Sequence, residues 1–181
     1  MQVKMLLSNY IKYFDEGLPD DLCRETIKLM EENPQNHHSH NGCLLFSDVD
    51  SEFRTNLSAP ILSSVGSYSA LVPQYVVNSL RLKSSEIEHV VVTKIPKGEG
   101  AKVFFDNYGT PKRRLAMMYH LNTVSGGNIK FEHAGIETQQ VQGYLTVFPY
   151  AWLYEYSIAP ADEDQYILMT YLRLKDEAAA V

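Results

Sequence analysis

Cysteine is nearly absent from this 181-residue chain, which has only Cys23 and Cys43. One falls in a predicted amphipathic helix and the other in an apolar run. Both read as small core residues, and nothing asks for a disulfide. A reducing compartment is therefore expected, and with it a cytoplasmic location, in a cell or in a virus-infected host. Long apolar runs are also missing. No stretch approaches the roughly 20 residues of a membrane-spanning helix, and the N-terminal MQVKMLLSNYIKYF breaks at Ser8 and Asn9 with no small-residue cleavage site behind it. No membrane contact is expected. Positive charge is scarce: 16 Lys and Arg face 22 Asp and Glu, a net charge of -6. Phosphate binding needs clustered cations. Only Lys112-Arg113-Arg114 is dense, and it reads as the solvated start of a strand, so nucleic acid is not an expected partner.

What remains is an ordinary globular composition, 45% apolar and 21% charged, in a chain sized for one domain with a full core. Residues 1–17 read as an opening strand. Leu18-Pro19-Asp20-Asp21 starts a helix, with proline in the first turn and acidic residues at the positive end of its dipole. Leu22, Thr26, Leu29 and Met30 share its inner face, and Asn33-Pro34 ends it. NPQNHHSHNG, with His37, His38 and His40, is expected to be a solvated loop; imidazoles are good metal ligands, but no Cys or carboxylate stands at a supporting spacing. Residues 58–82 return to a helical pattern broken at Pro73.

The second half is β-rich. Predicted strands are Glu88–Ile95, Lys102–Phe105, Arg114–Leu121, Asn128–His133, Gly143–Phe148, Tyr154–Ile158 and Gln165–Leu174, separated by Gly- and Pro-bearing turns. This spacing predicts a folded-over β architecture such as a jelly roll. The expected fold class is α+β, with an N-terminal layer of helices on the sheet. One domain, 1–181, is expected: a strand and helices over 1–86, a β core over 87–175, and a tail over 176–181.

Taken in order, these landmarks resemble the double-stranded β-helix of the iron(II)- and 2-oxoglutarate-dependent oxygenases, in particular the prolyl-4-hydroxylase-like branch. The resemblance is carried by Phe14-Asp15, Leu18-Pro19 and Leu22-Cys23 at the start, and by Ile95-Pro96-Lys97-Gly98 before the metal motif. Arg114, Leu115–Asn122, Gly126-Gly127 and Phe131 follow. Gly143-x-Leu145-x-x-Phe148-Pro149 comes last, ahead of the distal histidine. The family holds iron(II) with a His-x-Asp motif and a later His, and pairs a Lys or Arg with 2-oxoglutarate. Aligned on these landmarks, Phe104 and Tyr154 stand at the two histidine positions, Asp106 is the one retained ligand position, and Gln165 stands at the cation.

The substitutions remove the chemistry that the resemblance implies. Phe104 has no lone pair. Tyr154 must lose a proton of reference pKa near 10 to ligate well. Gln165 offers no charge. His120 or His133 would rebuild a site only if its strand register turned it into the barrel; His89 reads as a surface residue. The expectation is a catalytically degenerate oxygenase-like domain without cofactor. It would serve as a structural or protein-interaction module through a protein partner or self-association, with a bacteriophage virion component as one such use. Phe104, Tyr144, Phe148, Trp152, Tyr154, Tyr156 and Tyr166 are the aromatics available to fill the old pocket. The alternative is an active iron(II)/2-oxoglutarate-dependent hydroxylase with non-standard ligands.

Overall fold

The computed structural model describes residues 7–40, 43–46, 51–103 and 112–175. A 3-10 turn at Leu7–Tyr10 leads into strand β1 (Lys12–Phe14), so the expected opening strand is only three residues long. Helix α1 spans Asp20–Glu32 behind Pro19, with Asp20 and Asp21 in its first turn and Cys23, Thr26 and Met30 buried. Asn33 ends it, its Nδ2 donating to the Leu29 carbonyl at 2.8 Å.

The histidine tract departs from expectation. Residues His37–His40 form β2, which pairs antiparallel with β3 (Cys43–Phe46). Alternation is invisible in a run of four polar residues, so only pairing with the apolar partner reveals a strand. His37 Nε2 meets the Met30 carbonyl at 2.8 Å, which fastens the strand to the end of α1. Helix α2 (Ser51–Leu71) begins earlier than expected and runs through Pro60; Val72-Pro73 separates it from α3 (Gln74–Ser79).

The predicted strand Glu88–Ile95 shortens to β5 (Val91–Ile95), and a separate short strand, β4 (Ser85–Ile87), precedes it. Then come β6 (Ala101–Val103), β7 (Arg113–His120), β8 (Ile129–Phe131) and β9 (Ile136–Thr138), the last absent from the sequence prediction. β10 (Leu145–Pro149), β11 (Tyr156–Ile158) and β12 (Gln165–Leu174) complete the chain. They form two sheets. The larger runs β1-β10-β7-β12-β5-β3-β2, with β4 also on β12; the smaller runs β6-β11-β8-β9. All the pairings are antiparallel. β2–β3 and β8–β9 are paired neighbours, while from β5 to β12 the chain passes back and forth between the sheets, the folded-over architecture anticipated from the turn spacing.

The period-two pleat then sorts the large sheet's side chains. On β12, Tyr166 Oη donates to Glu31 on α1 at 2.8 Å, so its even residues face the helices. Met169 meets Tyr156 of the small sheet, so the odd residues face the space between the sheets. Register carries the assignment across: Ile167 pairs with His120, Met169 with Met118, and Met118 with Thr146. The core is accordingly double, with Leu57, Ile61 and Tyr68 of α2 buried in the helical layer and Phe131, Phe148 and Met118 buried between the sheets.

Arg113, expected to be solvated, is instead held at the sheet end. Its Nε and Nη2 donate to Glu88 at 2.7 Å each, and its guanidinium lies 3.8 Å from the Tyr171 ring centre. Burial opposes the Glu88 charge, but Arg113 outweighs it and holds the carboxyl below its usual range. Stabilisation by this pair is thus complete above the unfolded carboxylate pKa of about 4.3 and fades as pH falls below it. Arg113→Met should cost about 3 kcal/mol at neutral pH by stranding Glu88, measured by urea unfolding, and should flatten this acid dependence.

Candidate functional site

The inter-sheet space has an aromatic middle and a polar end. In the middle, Phe131 of β8 and Phe148 of β10 meet edge to face with centroids 4.9 Å apart. Tyr156 of β11 stands 5.8 Å from Phe131 and 5.7 Å from Phe148. Its hydroxyl donates to Met169 Sδ at 3.5 Å, across to the large sheet. Burial holds the Tyr156 pKa well above that of a free phenol, so it stays protonated.

The polar end is organised by His120, which is fully buried. Its Nδ1 lies 2.6 Å from Gln140 Oε1 and its Nε2 lies 3.1 Å from the Thr146 hydroxyl. The Gln140 oxygen can only accept, so Nδ1 carries the proton and Nε2 accepts from Thr146. Gln140 Nε2 donates to the Tyr166 carbonyl at 3.1 Å; Asn122 Oδ1 accepts from the Tyr166 amide, and Asn122 Nδ2 donates to the Asp164 carbonyl. Burial drives the His120 pKa down to about 4. Both nitrogens are committed to neutral partners, so His120 locks β7 to β10 and to the turn before it, with no lone pair left for a metal.

The four aligned positions are treated differently. Phe104 and Asp106 lie outside the described residues. Tyr154 ends a short 3-10 turn, Trp152–Tyr154, and is buried. Its phenol belongs with the helical layer: burial first, then the Tyr10 phenol, raises its pKa to about 12, and it in turn acts on Tyr68 of α2. Tyr68 Oη donates to the Tyr10 carbonyl at 3.0 Å, and the Tyr10 and Tyr75 hydroxyls are 2.8 Å apart. Two residues on, it is Tyr156 that enters the inter-sheet space. Trp152 is of undescribed side-chain placement, and Tyr166 faces α1.

Gln165 does face inward, and it is fully buried. Its Nε2 donates to the Ala159 carbonyl at 2.9 Å. Its Oε1 is buried without a hydrogen-bond partner, as is the Thr138 hydroxyl across β8. Gly127 backs onto the amide: a Cβ there would lie 2.8 Å from Gln165 Cδ, and its φ of +65° suits glycine alone. The Gly126-Gly127 landmark thus has a local physical reason.

His133 does not enter the barrel. Half its side chain is exposed, and Nε2 lies 3.9 Å from Glu155. His89 lies beside Glu88 at 3.3 Å, also at the surface. Among the described residues, no three His, Cys, Asp or Glu side chains come together as a metal-binding group. Both cysteines are buried and form no disulfide, and no described helix is long and apolar enough to cross a membrane.

With this geometry in hand, comparison with solved structures is decisive for the fold. The viral collagen prolyl hydroxylase of Paramecium bursaria Chlorella virus-1, in its 2-oxoglutarate complex, superposes with a TM-score of 0.66 at 15% identity, covering 92% of this chain and 97% of that one. The fold is that of the prolyl hydroxylases. The prolyl-4-hydroxylase-like β architecture extends to a Pseudomonas putida prolyl-4-hydroxylase at TM-score 0.68 and 15% identity, over 94% and 96% of the two chains. It extends also to a Trichoplax adhaerens prolyl hydroxylase bound to a hypoxia-inducible-factor peptide, at 0.66 and 15%, over 93% and 87%. No protein-family model and no curated protein matches the chain in sequence.

Sequence reasoning named His120, Tyr154 and Gln165 but not Gln140, Thr146 or Thr138. The Thr–Gln spacing across 138–140 carries no signal without knowing that β9 exists.

Two outcomes follow. Tyr156→Ala should cost about 4 kcal/mol through the void it leaves, and Tyr156→Phe far less, by denaturant titration. His120 takes its proton in the unfolded chain near pH 6.5 and in the folded chain only near 4. Stability should therefore fall by roughly 3 kcal/mol as pH drops through that window, and His120→Gln should remove the slope, measured by urea unfolding at stepped pH.

Proposed function

We propose that this protein is a non-catalytic member of the prolyl-hydroxylase fold, used as a structural or protein-interaction module. One observation carries the proposal: the inter-sheet space near β11 is filled by a protonated Tyr156, wedged between Phe131 and Phe148 and tied to Met169. A histidine there would present a lone pair to a metal, whereas a buried phenol of raised pKa presents a proton. Tyr154, the residue aligned with the distal histidine, is turned toward Tyr10 and Tyr68. An iron site therefore does not fit the described residues.

The same substitutions leave the fold intact, which is what a binding or assembly role requires. Self-association or incorporation into a larger particle, a phage virion included, is the use we favour. The protein surface offers Leu62, Leu71 and Tyr75 as exposed large apolar side chains near or on the helical layer, and tyrosine is favoured at interfaces. The competing function, iron(II)/2-oxoglutarate-dependent hydroxylation, is supported by the fold of the neighbours.

Anaerobic iron(II) titration with metal analysis, followed by a succinate-release assay on proline-bearing peptides, separates the two. The expected result is no stoichiometric iron and no succinate above the protein-free control. Stoichiometric iron with coupled succinate release would establish the enzyme instead. Analytical ultracentrifugation on the same sample tests the positive half, with concentration-dependent association expected.

A further inference from the structure

Two buried side-chain oxygens without a hydrogen-bond partner, the Gln165 amide Oε1 and the Thr138 hydroxyl, point to a property of the site that the proposed absence of metal chemistry does not entail. Gln165 reaches into the space between the sheets from the start of β12, and Thr138 reaches in from β9. The row Ile158–Ile129–Thr138 runs across the small sheet beneath the Gln165 amide. Ala159, which follows Ile158, supplies the carbonyl that captures the amide nitrogen at 2.9 Å.

That capture fixes the sign of what is left. The donor end of Gln165 is spent on Ala159, and the free end is a carbonyl oxygen. An oxygen with lone pairs and partial negative charge repels a carboxylate, which needs donors or a cation. The amide cannot easily turn over, because the flipped Oε1 would face the Ala159 carbonyl. The Gly127 side is closed as well: an added Cβ there would lie 2.8 Å from Gln165 Cδ and 2.9 Å from Val124 Cγ2.

Among the described residues, Lys94 and Lys97, the cations flanking the polar end, both act on Asp164. Lys94 on β5 faces outward, 2.9 Å from Glu31 and 3.1 Å from Asp164. Arg113 and Arg114 stand at the opposite end of β7 from His120. His120 is held neutral by Gln140 and Thr146. Among the described residues, the side chains that hydrogen-bond together at this end, His120, Gln140, Thr146 and Asn122, are uncharged.

We propose that Gln165 is a specificity-determining residue that sets the inner end of the barrel against carboxylates, so that the chain refuses 2-oxoglutarate whatever its metal content. The proposal uses the alignment of Gln165 with the family's cation but not the absence of an iron site. Its converse is that a cation at 165 restores carboxylate affinity. Lysine is the conservative choice: it can still donate to the Ala159 carbonyl, and it removes the repelling oxygen.

Isothermal titration calorimetry of the full chain with 2-oxoglutarate, and with succinate as a second dicarboxylate, tests this on wild type and Gln165→Lys, each metal-free and with anaerobic iron(II). Wild type should show no saturable binding at millimolar ligand, and Gln165→Lys should gain at least about tenfold in affinity. Saturable binding of 2-oxoglutarate to wild type, lost in Gln165→Met, overturns the proposal. So does a Gln165→Lys protein with wild-type circular dichroism that binds no better than wild type. If the lysine variant does not fold, the wild-type titration alone still decides. The outcomes separate from those of the functional proposal: iron binding without 2-oxoglutarate sinks only the non-catalytic module, and 2-oxoglutarate binding without turnover sinks only this one.

Discussion

Phe131 from the small sheet and Phe148 from the large one meet edge to face, with Tyr156 packed against both, and the remaining structure depends on this contact. Two sheets with apolar inner faces are stable only if the gap between them is filled to near-crystalline density. Here three aromatic rings do most of the filling at the middle, and the Tyr156 hydroxyl finds a soft acceptor in Met169. The same rings fill the middle of the inter-sheet space, so the joining of the two sheets and the filling of that space come from one set of side chains.

The polar end follows a different rule. His120, Gln140, Thr146 and Asn122 are buried, and their donors and acceptors are matched to one another and to the backbone of β12. Such a network is stable because it is almost complete. Its two incomplete atoms, on Gln165 and Thr138, stand out against it. In a fold whose solved neighbours include an enzyme bound to 2-oxoglutarate, a neutral and partly unsatisfied pair is a distinctive place to find in this barrel. Unsatisfied buried groups ask for an explanation such as strain or a functional role.

On the other face of the large sheet, the helical layer has its own tyrosine cluster, Tyr10, Tyr68, Tyr75 and Tyr154. It joins the turn before β11 to α2 and α3. α1 is fastened separately, through Glu31 to Lys94 and Tyr166. Burial opposes the Glu31 charge, and the Lys94 and Tyr166 hydrogen bonds overcome it, so the carboxyl is held below its usual range. α1 is thus tied to the sheet by polar contacts at its rim, whereas α2 and α3 reach the Tyr10 turn through Tyr68 and Tyr75.

Much of this was legible in the sequence. Local chemistry determined α1, because Pro19-Asp20-Asp21 and Asn33-Pro34 act within a few residues of themselves. It also determined β12, an apolar run long enough to be read by itself, and the order of turns that leads to a folded-over sheet. The resemblance also set the expectation that Phe104, Tyr154 and Gln165 stand at three of four oxygenase positions without suitable groups. Tertiary structure alone decided that His37–His40 is an edge strand, that Thr138 lies on a strand, and that Arg113 is paired with Glu88 rather than solvated. It alone decided that Tyr154 joins the helices while Tyr156 enters the barrel, and which end of the Gln165 amide is left free. The reason is the same each time: these outcomes depend on register and on partners distant in sequence, and a one-residue change of register reverses the direction of every side chain.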